Sequence, residues 1–97
     1  MVCAIDSGRL WDSLMEMAAV GATPAGGVRR LALSDEDRAA RDLLVRWLGD
    51  AQCTVRVDDL GNIYGHREGE QPGAAPLVCG SHLDTVCLLY TSPSPRD

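Results

Sequence analysis

The feature that most constrains the fold is a short apolar run, Pro76-Leu77-Val78-Cys79, which lies between a polar loop and a Gly-Ser pair. An apolar run of this length without polar alternation predicts a strand that is buried on both faces. Strands of that kind belong to parallel sheets covered by helices. The run therefore predicts an α/β fold, with the preceding helices packed on a sheet.

Near the start of the chain, apolar residues recur at helical spacing, at Leu10, Leu14 and Met17. This periodicity predicts an amphipathic helix from near Ser7 to near Val20, which Asp6 or Ser7 can cap. Residues 21–27 are rich in glycine and include a proline, so they predict a loop. Trp11 and Trp47 are expected in the core.

A second helix is predicted to begin after Ser34, whose hydroxyl can cap the helix, and three acidic residues follow at the positive end of its dipole. Its apolar face comprises Ala40, Leu43, Leu44, Trp47, Leu48 and Ala51. Two short strands are then predicted at 54–57 and 63–66, joined as a hairpin by a turn at Gly61-Asn62. Asp58 and Asp59 are expected to serve that turn, and His66 to be a solvated surface residue.

The apolar run ends in Gly80-Ser81-His82-Leu83-Asp84-Thr85. Ligands of open α/β sheets gather beyond the carboxyl ends of strands, and side chains two residues apart on extended backbone share a face. Imidazole nitrogen binds zinc and similar ions, and a carboxylate that accepts its second N–H fixes the tautomer. His82 is therefore a candidate metal ligand with Asp84 as its partner, although this pattern alone is more often structural.

Composition excludes several classes of protein. All 9 basic residues are arginine, the net charge is −5, and no basic stripe exists, which argues against nucleic-acid binding. No apolar run could span a bilayer, and no signal peptide is visible, so no membrane association is expected. The 4 scattered cysteines indicate reduced thiols in a cytoplasmic protein, with Cys53 and Cys79 as small buried residues.

The last residues, 87–97, differ from the rest and match one reading frame of a sequencing-library adapter. Such non-native segments are set aside in reasoning about a fold. The sequence therefore predicts two parts: residues 1–86 as a truncated N-terminal piece of a catalytic domain, and 87–97 as a non-native tail.

Three segments, in order, resemble the N-carbamoyl-L-amino-acid hydrolase, allantoate amidohydrolase and β-ureidopropionase branch of the zinc aminoacylase and carboxypeptidase clan. They are Gly26-Gly27-Val28-Arg29-Arg30-Leu31 with Ser34-Asp35-Glu36-Asp37 and Ala40-Arg41, then Val57-Asp58-Asp59-Leu60-Gly61-Asn62-Ile63, and Gly80-Ser81-His82-Leu83-Asp84-Thr85-Val86.

The resemblance implies the N-terminal part of the catalytic domain of a two-domain metallohydrolase, homodimeric when full length. It implies that His82 binds one of two divalent metal ions (Zn, or Mn, Co or Ni) and that Asp84 supports it as a catalytic residue. Paired metals ~3.5–4 Å apart activate a water for attack. The implied substrates are small N-carbamoyl or ureido amino acids, cleaved at a non-peptide C–N bond.

This chain departs from the family's pattern after Val86, where the Gly-rich turn, the bridging aspartate and the later ligands do not follow. It is therefore expected to be inactive by itself. Relatives also usually place Gly at the position of Gln52, as a helix cap. Two alternatives stay open: an aminoacylase or dipeptidase of the same clan, and a non-catalytic α/β binding module in which His82 is structural.

Overall fold

The computed structural model describes residues 4–85, which contain helices α1 (Ser7–Ala19) and α2 (Asp35–Asp50) and strands β1 (Thr54–Val57) and β2 (Ile63–His66). The predicted order of helix, helix and hairpin is confirmed. No helix in this part of the chain is long and apolar enough to cross a membrane. The described residues divide into two compact units, of which the second is Arg41–His82 and the first holds the residues on either side of it.

Helix α1 begins at the predicted position because the Asp6 carboxylate accepts a hydrogen bond from the Arg9 N–H at 3.0 Å. Its apolar side chains are largely exposed: Leu10 is 50% exposed, Trp11 61% and Leu14 53%. The expectation that Trp11 lies in the core is therefore wrong for this structure, whereas Trp47 is half-buried. The described chain does not supply the apolar surface that this helix face would need for burial.

The segment between the helices folds back on itself in a narrow loop. An isolated bridge pairs Ala22 with Val28, and the Arg29 N–H donates to the Gly21 carbonyl at 2.8 Å. Gly21 has φ +83°, and a Cβ there would lie 2.5 Å from the Arg29 carbonyl oxygen. Only glycine fits this close approach, which returns the chain toward the end of α1 at Arg30.

Both ends of α2 carry a cap. The Ser34 hydroxyl accepts from the Asp37 N–H at 3.1 Å, as predicted, and the Asp37 carboxylate accepts from the Leu33 N–H at 3.1 Å. At the other end, the Cys53 N–H donates to the Leu48 carbonyl at 2.9 Å. Gln52, at φ +63°, takes the left-handed position of this Schellman cap.

The hairpin is antiparallel, with Thr54 opposite His66 and Val57 opposite Ile63. The Leu48 side chain of α2 lies against the hairpin at Gly65, where a Cβ would be 2.5 Å from Leu48 Cδ2. Arg56 lies over the Tyr64 ring, 4.6 Å from its centroid, across the two strands.

The prediction of a strand at Pro76–Cys79 is wrong for this structure. These residues form no strand, Leu77 is 100% exposed, Val78 is 81% exposed, and Cys79 is exposed as well. A fully buried strand needs helices on both faces of its sheet and paired strands at its edges, and the one sheet of the described residues is a two-stranded hairpin that does not include this run. The apolar sequence therefore has no partner in this part of the chain. The tail at 87–97 lies outside the described residues.

Candidate functional site at residues 82 to 85

The candidate ligands His82 and Asp84 lie on irregular backbone, not at the end of a strand. His82 is exposed, whereas Leu83, Asp84 and Thr85 are half-buried. The exposure of the chain therefore decreases between His82 and Leu83. The three residues that follow His82 belong to the same compact unit as α1 and Arg30.

Arg30 and Thr85 are joined by two reciprocal hydrogen bonds. The Arg30 N–H donates to Thr85 Oγ1 at 2.9 Å, and the Thr85 N–H donates to the Arg30 carbonyl at 2.7 Å. The Arg30 guanidinium also bonds to this segment, since its Nε donates to the Leu83 carbonyl at 2.9 Å. The residues before and after Asp84 are therefore both anchored on Arg30.

The same guanidinium caps the C-terminal end of α1. Arg30 Nη1 donates to the Met17 carbonyl at 3.0 Å and to the Val20 carbonyl at 2.7 Å. These carbonyls lie at the negative end of the helix dipole, where α1 has no basic residue of its own. Arg30 is only 7% exposed, so its charge is stabilised by oriented carbonyl oxygens in a partly desolvated setting.

Asp58 serves the hairpin turn, as predicted. Its Oδ1 accepts from the N–H groups of Leu60 and Asn62, and its Oδ2 accepts from the Asn62 side chain and the Tyr64 hydroxyl. These hydrogen bonds lower the pKa of Asp58 to about 2, because they favour the charged carboxylate. The bond from the Asn62 side chain has the largest effect, followed by that from the Asn62 backbone, and those from Tyr64 and Leu60 contribute less. A carboxylate fully engaged in this way organises the turn.

His66 is also a surface residue, as predicted. Its Nε2 lies 3.2 Å from the Glu68 carboxylate, and both side chains are well exposed. Within residues 4–85, no group of three or more His, Cys, Asp or Glu side chains is arranged to hold a metal ion. The described part of the chain does not by itself fit a complete metal centre, although His82 and Asp84 are suitable donor types.

From the sequence alone, Arg30 could serve either the structure or the approach of substrate. Its partners are up to 55 positions away, so no local periodicity could reveal them. The one available signal was the absence of a basic residue in the last turn of α1, which leaves carbonyls for a residue from elsewhere in the chain.

Comparisons with known proteins agree on one group of enzymes. No protein-family model matches the chain. The chain is 44% identical over 82 residues to an N-carbamoyl-L-amino acid amidohydrolase of Geobacillus stearothermophilus, covering 84% of this chain and 20% of that protein. It is 32% identical over 82 residues to a ureidoglycolate hydrolase of Oryza sativa subsp. japonica, covering 84% of this chain and 17% of that protein.

A solved structure leads to the same group. A hydantoinase/carbamoylase family amidase from Burkholderia ambifaria is 58% identical and superimposes with a TM-score of 0.79, over 84% of this chain and 20% of that one. The chain therefore spans about a fifth of the length of the relatives that it matches.

Proposed function

We infer that this chain is a segment of a hydantoinase/carbamoylase-type amidase, and that the complete enzyme hydrolyses the carbamoyl or ureido C–N bond of small N-substituted amino acids. The observation that carries this inference is the combined match in sequence and structure, 58% identity at a TM-score of 0.79, to an amidase of that family. The ureidoglycolate hydrolase among the relatives supports the ureido side of the substrate class.

The proposed active-site contribution of the chain is His82 as a ligand of one divalent metal ion and Asp84 as the carboxylate that supports it. The exposure of His82 supports this role, since a ligand must face the remainder of the site. Two bound divalent ions, Zn or another transition metal, would supply Lewis acidity and an activated water. The other ligands must come from outside residues 4–85, because the described residues assemble no such group.

The arrangement of the whole enzyme is proposed on the resemblance alone: a two-domain, cytoplasmic homodimer in which residues 1–86 belong to the catalytic domain and 87–97 are not native. Because residues 4–85 assemble no complete group of metal ligands, the 97-residue chain is expected to be inactive by itself.

The test is a His82→Ala substitution in the complete enzyme, with His66→Ala as the matched control. Loss of a ligand should lower bound metal and reduce kcat/KM for an N-carbamoyl amino acid by more than about 100-fold, since even changes outside the ligand set cost 10–100-fold. His66 is an exposed hairpin residue, so its replacement should leave both unchanged.

Metal content by elemental analysis and hydrolysis with and without chelator provide the measurements. Full metal occupancy and hydrolysis in His82→Ala would contradict the role of this histidine. Absence of hydrolysis in the metal-loaded unsubstituted enzyme would contradict the substrate class.

A further inference from the structure

Asp84 is half-buried, as are Leu83 and Thr85, and these two neighbours are both hydrogen-bonded to Arg30. The Leu83 carbonyl accepts from Arg30 Nε at 2.9 Å. Thr85 is held to the Arg30 backbone by bonds of 2.9 and 2.7 Å. With both adjoining residues anchored, the backbone at Asp84 is restrained, and with it the direction in which the Asp84 side chain leaves the backbone.

Arg30 is itself fixed by a rigid element. Its Nη1 donates to the carbonyls of Met17 and Val20 at the end of α1. The planar guanidinium presents its N–H groups in a fixed fork, so contacts at one end of the fork set the direction of the other. A lysine has a single nitrogen and could serve the helix end or Leu83, but not both in this geometry.

We propose that Arg30 is a positioning residue for Asp84: it transmits the orientation of the α1 C-terminus to the backbone on both sides of that carboxylate. This inference rests on the proposed role of Asp84 in the hydrolase. Arg30 contacts neither substrate nor metal in this scheme, and its effect on turnover is exerted through the placement of Asp84.

The first test uses the complete enzyme with Arg30→Lys and Arg30→Met, and Arg29→Met as the control at the adjacent, exposed arginine. Misplacement of a reacting group by about 1 Å can cost 100-fold in rate, so kcat should fall on the order of 10- to 100-fold. KM should change little, because substrate contacts are not removed. The Arg30→Lys enzyme should keep the helix content of the unsubstituted enzyme, as measured by circular dichroism, but its kcat should still be reduced.

A second pair of variants avoids the helix end and any folding defect there. Thr85→Val removes the oxygen that accepts from the Arg30 N–H, whereas Thr85→Ser retains it. Hydrogen exchange of a peptide covering residues 83–85 should accelerate in Thr85→Val and in both Arg30 variants. It should stay slow in Thr85→Ser and in Arg29→Met.

A double-mutant cycle separates positioning from general stability. If Arg30 acts through Asp84, then Arg30→Met should have little further effect on kcat in an Asp84→Asn background. Unchanged kcat in Arg30→Met and Thr85→Val, in an enzyme that hydrolyses N-carbamoyl amino acids, overturns this inference and leaves the proposed function intact. Additive losses in the cycle overturn it as well. An unsubstituted enzyme without that hydrolysis overturns the proposed function first.

Discussion

The turn at Asp58 and the segment Leu83–Thr85 are both irregular backbone organised by one charged residue, but the partners come from different distances along the chain. Asp58 binds residues two to six positions ahead of it. Leu83 and Thr85 bind Arg30, which is 53 and 55 positions away. Because the entropy cost of closing a loop grows with its length, the contacts of the turn cost less to form than those of the candidate site, which close loops of 53 and 55 positions.

The largest effect is expected from Gly21→Ala, which should disrupt the loop that returns the chain to Arg30. A Cβ at this position meets the Arg29 carbonyl oxygen at 2.5 Å, and φ is +83°. Strained backbone of this kind costs about 1–3 kcal/mol and the clash with the carbonyl oxygen adds to it, so the free energy of unfolding measured in urea should fall by at least that amount. Exchange of the Thr85 amide should accelerate, while amides of the 54–66 hairpin keep their protection.

Gly26→Ala is the matched control for this prediction. Gly26 also has a positive φ, +92°, but a Cβ there has no neighbour within 4 Å. Gly26→Ala should therefore lower the free energy of unfolding less than Gly21→Ala does, because the added Cβ meets no other atom. Equal losses in the two variants would show that the close approach to Arg29 is unimportant, and loss of hairpin protection in Gly21→Ala would contradict the separation of the two regions.

Sequence patterns were sufficient wherever the determining contacts are local. The N-caps at Asp6 and Ser34 and the turn role of Asp58 depend on neighbours within six positions, the hairpin pairs residues at most twelve positions apart, and each was predicted. The family resemblance was also predicted from short motifs and is confirmed by the relatives. Residue identity within a few positions thus determined most of the secondary structure.

Where the partner is remote or missing, the sequence was misleading or silent. The run Pro76–Cys79 was predicted as a buried strand from its apolar composition, yet Leu77 is fully exposed because burial depends on neighbouring strands that residues 4–85 do not contain. For Arg30 the sequence does not decide between a structural role and a role in substrate approach, because its partners lie 10 to 55 positions away. The contacts of the candidate site are therefore the part of the fold that local sequence patterns predict least well.

A smaller effect, confined to acid, is expected at the Asp58 turn. The pKa of Asp58 falls from 3.8 to about 2 through hydrogen bonds that favour the carboxylate, those from Asn62 being the largest. A lowered pKa in the folded state contributes stability that is complete above pH 3.8 and is lost as pH falls toward about 2. Cross-strand amide protection in the 54–66 hairpin should therefore decline between about pH 4 and pH 2.

Asp58→Asn tests the origin of this acid dependence, with Asp59→Asn as its neighbour control. The asparagine variant should start with a weaker hairpin and show a flatter profile over this pH range, because its amide does not titrate. Asp59 is exposed and lies beside the network, so its replacement should retain the decline. If the Asp58→Asn profile matches that of the unsubstituted chain, another group causes the acid response.

The smallest effect is expected from Gln52→Gly, a substitution that should stabilise the chain. Gln52 has φ +63° at the Schellman cap of α2, where the Cys53 N–H reaches the Leu48 carbonyl. Glycine relieves the strain of a left-handed residue but adds freedom to the unfolded chain, so the net gain should be about 0.5 kcal/mol in urea unfolding. Gln52→Ala retains the strain and should be neutral. Because the cap is local, amide exchange in Gln52→Gly should slow in α2 and the hairpin and stay unchanged at Thr85. Faster exchange throughout the Gln52→Gly chain would contradict the cap assignment.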